Sequence, residues 1–226
     1  LDLYKEYQAS DMTRAQFLHE AGRLPGIYCP QLYEASYKED GTIAAFTPLY
    51  DDVPAKIDKE IVTDLDAEAA VYPLAPVVPF IKVTQDRVVL EIMRGCIRGC
   101  RFCQAGQLYR PLRERNVDEL KEYASAMLKN TGHEEISLSS LSSSDYSKLP
   151  ELIDYLIEEC DRKKINISLP SLRIDAFSLD VMSRVQDIRK SSLTFAPEAG
   201  SQRMRDVINK GLTEEVILNG AGQAFE

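Results

Sequence analysis

The sequence predicts an α/β fold built on a parallel sheet with helical crossovers, and three observations predict it. Short apolar runs recur at Arg87–Met93, Ile136–Leu138, Ile165–Leu169 and Ser192–Ala196. Between them, apolar residues fall at helical spacing: Leu120, Tyr123, Ala124, Met127 and Leu128, then Leu152, Ile153, Leu156, Ile157 and Cys160. Cap and stop residues stand at the junctions, with Asn116 three residues before Glu119, Gly132 after the first helix, and Ser178 ahead of a short helix to Val185. Four strand–helix units in a row imply a barrel-type arrangement, in which chemistry gathers at the carboxyl ends of the strands. A further helix is expected from about Gln202 onward.

A small α+β segment precedes these units. Residues 1–22 read as one helix, with Phe17, Leu18 and Ala21 apolar and Gly22 as its stop. Ile27–Cys29 and Ile43–Phe46 read as strands around a turn at residues 39–42. Cys29 is expected to be a packed thiol and His19 a solvated side chain. Charges dominate residues 53–66, and prolines 73, 76 and 79 then make a stiff connector. The domain boundary is expected there: residues 1–80 are the tail of an upstream domain plus the Pro-rich connector, and residues 81–226 are the barrel portion.

Composition is that of an ordinary soluble protein, 44% hydrophobic and 28% charged. No apolar run approaches the roughly 20 residues of a membrane span, and no secretory leader is visible. The five cysteines are odd in number and clustered, which argues against a disulfide framework and for a reducing compartment, the cytoplasm. A net charge of −9 argues against a generally basic nucleic-acid surface. The chain opens on Leu1 without an initiating methionine, and is expected to be a piece of something longer.

Chemistry concentrates in Arg94-Gly95-Cys96-Ile97-Arg98-Gly99-Cys100-Arg101-Phe102-Cys103. Three residues separate the first two cysteines and two separate the second pair, so one short loop can aim three thiolates at one place. Thiolates hold iron–sulfur clusters, and three ligands leave one iron of a four-iron cluster open. The alternative is a zinc site, with Cys29, Cys160 or His133 folding back as a fourth ligand. Six arginines (94, 98, 101, 110, 113 and 115) and one acid, Glu114, lie in the stretch 94–115. They form either a positive patch beside the loop or a set of surface and ion-paired side chains.

The Cys-x3-Cys-x2-Cys spacing with Phe102 before the last cysteine resembles the radical S-adenosylmethionine (SAM) superfamily. The resemblance covers roughly residues 80–226. It implies a partial TIM-type barrel, here of about four strand–helix units where the family usually has six, so that the later strands lie beyond this fragment. It also implies a [4Fe–4S] cluster on Cys96, Cys100 and Cys103, with SAM on the open iron. Reductive cleavage of SAM would then give a 5′-deoxyadenosyl radical, with an external electron donor. The segments Val89–Cys96 and Ala196–Ser201 resemble more narrowly the members that carry a cobalamin-type domain and those related to methylthiotransferases. Residues 1–80 hold no convincing motif for ligating cobalamin, and that cofactor is not claimed.

Strand ends supply the other candidates. A serine run follows the second strand, where the family often has Gly-Gly-Glu for the SAM amino group; Ser139 and Ser140 are the matches, with Asp145 as an alternative. Arg173 and Asp175 follow the third strand, facing the site or pairing with each other. After the fourth strand, Glu198 and Ser201 match family residues near SAM, ahead of Asn209-Lys210-Gly211; the alternative is a helix-capping serine and a surface glutamate. RNA or protein is the substrate class the methylthiotransferase likeness suggests. The competing function is a non-catalytic iron–sulfur electron carrier or zinc module, and a nucleic-acid-binding protein using the arginines is the third reading.

Overall fold

A computed structural model describes residues 1–67, 71–170, 172–174 and 195–225. The chain divides into two compact units, Leu1–Val62 and Thr63–Glu226. Among the described residues no helix is long and apolar enough to cross a membrane.

In the first unit, α1 (Asp2–Gln8) and α2 (Arg14–Gly22) replace the single helix expected over residues 1–22. The break lies where Thr13 starts a new helix: its hydroxyl accepts from the Gln16 amide, and the Gln16 side chain accepts from Thr13 N at 2.8 Å. Strands β1 (Tyr33–Tyr37) and β2 (Ile43–Pro48) pair antiparallel. The turn at residues 39–42 is as expected, closed by Asp40, whose carboxylate accepts from Thr42 N at 2.9 Å. Ile27–Cys29 is not the partner strand; it precedes a turn of 3-10 helix at Pro30–Leu32. Cys29 packs with Ala21, Leu32, Tyr33 and Val53 in the core of this unit. His19 is not simply solvated, since its Nε2 lies 2.9 Å from the Asp52 carboxylate.

The second unit is mixed α/β. Its strands β3 (Val88–Glu91), β6 (Glu135–Ser139) and β7 (Asn166–Ser168) form a parallel sheet in that order. Leu90 pairs with Leu138, and Ile136 with Ile167. Helix α4 (Val117–Thr131) connects β3 to β6, and α5 (Leu149–Lys163) connects β6 to β7. Each helix buries the apolar stripe read from its sequence: Leu120, Ala124, Met127 and Leu128 on α4, and Leu152, Ile153, Leu156 and Cys160 on α5. Asn116 caps α4 through the Asp118 amide at 2.8 Å, and Gly132 ends it in the left-handed conformation at φ +70°. Two short strands, β4 (Met93–Arg94) and β5 (Arg113–Glu114), make an antiparallel pair beyond β3, and α3 (Gln104–Leu108) lies between them.

Helices α6 (Gln202–Val207) and α7 (Glu214–Phe225) follow. The continuous helix expected from Gln202 is interrupted because Asn209 and Gly211 both take positive φ, +55° and +69°. The expected Ser178–Val185 helix and most of the expected strand at 192–196 fall outside the described residues.

The connector carries one structural device. Among the described residues, β3 has a sheet neighbour on one side only, β6. On β3, the Tyr72 hydroxyl accepts from Glu91 N at 2.8 Å and donates to Val89 O at 3.1 Å. The Tyr72 ring stacks on Tyr123 at 4.8 Å, with the Arg115 guanidinium over it at 4.7 Å. One phenol thus takes the place of a strand at two ladder positions. Tyr72→Phe keeps the ring but strands these main-chain groups, and is expected to lower stability by about 1–2 kcal/mol. Urea unfolding should show a lower midpoint at unchanged slope.

Candidate metal centre

The parallel strand β3 runs into β4 and delivers the chain to Gly95, where the cysteine loop begins. Gly95 has φ +91°, and a Cβ there would lie 2.7 Å from Tyr109 O and 2.8 Å from Pro111 O. Only glycine lets the outgoing and returning main chains pass so closely. The β4–β5 pair therefore closes the base of a loop holding all three clustered cysteines, at the carboxyl end of the sheet as expected.

Cys96, Cys100 and Cys103 are each partly exposed and in no disulfide. The Cys96 sulfur accepts from Arg98 N at 3.4 Å, and the Cys103 sulfur, capping α3, accepts from Gly106 N at 3.3 Å. Among the described residues no three His, Cys, Asp or Glu side chains surround one ion-sized point. Thiolates that each bind a different iron of a cluster do not require such a point, so the donor set suits a cluster. Cys160 is fully buried under α5, and burial pushes its thiol up to about 12. It is the core thiol the helical stripe indicates.

Four contacts tie the loop to its surroundings. Arg98 grips Asp145 with two hydrogen bonds, one of them 2.9 Å from Nε to Oδ2. Asn209 Nδ2 donates to Gly99 O at 2.8 Å, Arg101 N donates to Ile208 O at 2.9 Å, and the Arg101 guanidinium donates to Val207 O. The Asp145 carboxylate also accepts from the Ser142 hydroxyl at 2.7 Å. Burial alone would raise the Asp145 pKa, but its Arg98 and Ser142 hydrogen bonds outweigh that and hold it below the usual carboxylate range.

The serine run is built around this acid. Ser140 Oγ lies 2.9 Å from Ser143 Oγ and accepts from Ser142 N, so its hydroxyl serves the turn itself. Ser139 ends β6 half-buried, and its carbonyl accepts from Ile92 N at 3.1 Å. Ser144 Oγ accepts from Arg173 N at 3.0 Å, and the Arg173 guanidinium donates to Lys210 O at 3.1 Å. Arg173 thus bridges two loops instead of standing alone, while Asp175 lies outside the described residues.

Glu198 takes φ +69°, and its carboxylate accepts from Lys210 Nζ at 3.1 Å. That ammonium stands 5.8 Å from the centroid of the Phe102 ring, so Phe102, Lys210 and Glu198 form a chain of contacts. Ser201 caps α6, its hydroxyl accepting from Met204 N at 3.4 Å. Arg205 is buried and donates to the carbonyls of Ala199, Gly200 and Leu212, which shapes this loop. The sequence marks Lys210 only as part of Asn209-Lys210-Gly211, with no role of its own, and does not single out Arg205.

The arginine-rich stretch is largely structural. Arg94 pairs with Glu91 at 2.8 Å, Arg98 with Asp145, and buried Arg115 reaches Glu91, Asp66 and Leu65 O. Arg101, Arg110 and Arg113 donate to main-chain carbonyls.

Three cysteines on one loop at a strand end are the donor type that holds a thiolate-bound metal group. The chain belongs to the radical SAM superfamily, whose model matches residues 90–226. It is 39% identical over 131 residues to MJ0966, an uncharacterized protein of Methanocaldococcus jannaschii, covering 58% of this chain and 28% of that one. It is 26% identical over 141 residues to MJ0865 of the same organism, provisionally named a methylthiotransferase, covering 58% of this chain and 31% of that one. The matched stretch thus spans about three-tenths of each relative's length.

Because the folded pKa of Asp145 is depressed, the stability its ion pair contributes is present above the unfolded carboxylate value, about 3.9. It is lost as pH falls through the folded pKa. Asp145→Asn is therefore expected to cost about 1–2 kcal/mol at neutral pH. The gap to wild type should close below about pH 4 in urea titrations run across the acid range.

Proposed function

We propose that this chain is the cluster-holding part of a radical SAM enzyme, with Cys96, Cys100 and Cys103 as the ligands of a [4Fe–4S] cluster. The observation that carries the reading is three cysteines, spaced by three and two residues, on one loop at the carboxyl end of a parallel strand in a chain of this superfamily. When bound, the cluster and SAM supply an electron and the 5′-deoxyadenosyl radical that reductive cleavage of SAM releases. The protein's part is to hold and orient. The Arg98 and Gly106 amides donate to the Cys96 and Cys103 sulfurs, and Arg98, Arg101 and Asn209 stiffen the loop against the serine turn and the 207–209 main chain. Phe102, Ser139, Ser140, Glu198 and Ser201 are the SAM-contacting set we assign. Ser139 keeps a half-buried hydroxyl at the end of β6, and Glu198 is held by Lys210.

In architecture, β3, β6 and β7 are read as the first strands of a partial TIM-type barrel. Residues 1–80 are read as the tail of an upstream domain with its Pro-rich connector, and 81–226 as the start of the barrel. The likeness to a protein named a methylthiotransferase supports modification of RNA or protein as the reaction class. An external donor supplies the electron, and thiolate ligands suit the reducing cytoplasm.

The test is anaerobic reconstitution with iron and sulfide, followed by electron paramagnetic resonance of the reduced protein with and without SAM. A four-iron signal that changes on adding SAM is expected, as is its loss in Cys100→Ala. Cys160→Ala should leave the signal intact. Tight zinc with no iron uptake would refute the assignment, and a four-iron signal indifferent to SAM would favour an electron carrier.

A further inference from the structure

We infer that Lys210 is a positioning residue that couples Glu198 to the cysteine loop, so that SAM contact on the Glu198 side and the cluster side are held as one unit. The inference rests on the radical SAM reading of that loop.

Three observations carry it. First, the main chain ahead of Lys210 docks on the loop: Arg101 N donates to Ile208 O, Asn209 donates to Gly99 O, and Arg101 donates to Val207 O. A Cβ at Gly99 would stand 3.0 Å from Asn209 Nδ2, so a side chain there would crowd this contact. Second, the Lys210 side chain is only 11% exposed, although lysines normally keep their ammonium in water. It is turned instead to the Glu198 carboxylate at 3.1 Å and the face of Phe102, the residue before Cys103. Third, Glu198 sits at positive φ, +69°. A non-glycine residue stays there only when its surroundings hold it, and such strain gathers at functional sites. Lys210 is the side chain that holds Glu198. Arg173, donating to Lys210 O, fixes the turn from the other side.

A merely structural lysine would weaken the loop and the SAM side alike. A coupling lysine would spare the cluster and weaken SAM binding together with Glu198. The experiment compares reconstituted wild type, Lys210→Met, Lys210→Arg, Glu198→Gln and the Lys210→Met/Glu198→Gln double variant. It reads iron content, the paramagnetic signal of the reduced protein without SAM, and SAM affinity by anaerobic titration. Iron content and signal are expected to match wild type throughout. Lys210→Met and Glu198→Gln are each expected to weaken SAM binding about tenfold, and the double variant no more than either alone. Lys210→Arg should retain most of the affinity. Lys210→Met binding SAM like wild type, effects that multiply to about a hundredfold in the double variant, or iron loss parallel to SAM loss would each overturn the inference. A wild-type protein that takes up no iron, or whose signal ignores SAM, would instead overturn the radical SAM reading and the inference with it.

Discussion

The ion pair between Arg98 and Asp145 is the interaction on which the rest of the site depends. A short loop with three partly exposed cysteines has no apolar core of its own, so its shape must be imposed from outside. Arg98 lies between the first two cysteines and reaches a carboxylate that is itself nearly buried, its side chain 5% exposed. A two-pronged guanidinium–carboxylate contact fixes direction as well as distance. The same acid organises the serine turn through Ser142. From there the contacts continue through Ser144 and Arg173 to the Lys210 carbonyl, and return to the loop through Asn209 and Ile208. Three segments at the carboxyl end of the sheet, together with the turn after α6, thus make a closed circuit. Breaking one link of such a circuit leaves a buried polar group unpaired, which costs more than the bond itself is worth.

The electrostatics of the loop follow from how its arginines are used. Where carboxylates answer them, at Arg94, Arg98 and Arg115, charge is cancelled locally and the result is rigidity. Where main-chain carbonyls accept from them, at Arg101, Arg110 and Arg113, the side chains brace the course of the main chain.

What the sequence made legible was local. Helices α4 and α5 were readable because their apolar residues recur at helical spacing and their caps sit within a few residues of each end. The cysteine loop was readable because its meaning lies in gaps of three and two residues. The connections that shape the site were not: Arg98 and Asp145 are 47 residues apart, and Asn209 and Gly99 are 110 apart. No periodicity marks such pairs, since they exist only once strands bring distant turns to one edge. Two local errors have physical causes as well. The capping power of Thr13 divided the first helix, and the apolar run Ile27–Cys29 outweighed the true strand Tyr33–Tyr37, where Tyr33, Ala35 and Tyr37 alternate with Glu34 and Ser36.

The burial of Cys160 has a consequence for how this protein ages in air. Oxidants and disulfides attack thiolates, and a thiol whose pKa burial has pushed up to about 12 offers almost none at neutral pH. The three partly exposed loop cysteines carry that exposure instead. Oxidative injury is thereby steered away from the hydrophobic interior, where an added oxygen would break packing, and toward a surface loop that reductants can reach. The core thiol behaves as a small apolar side chain.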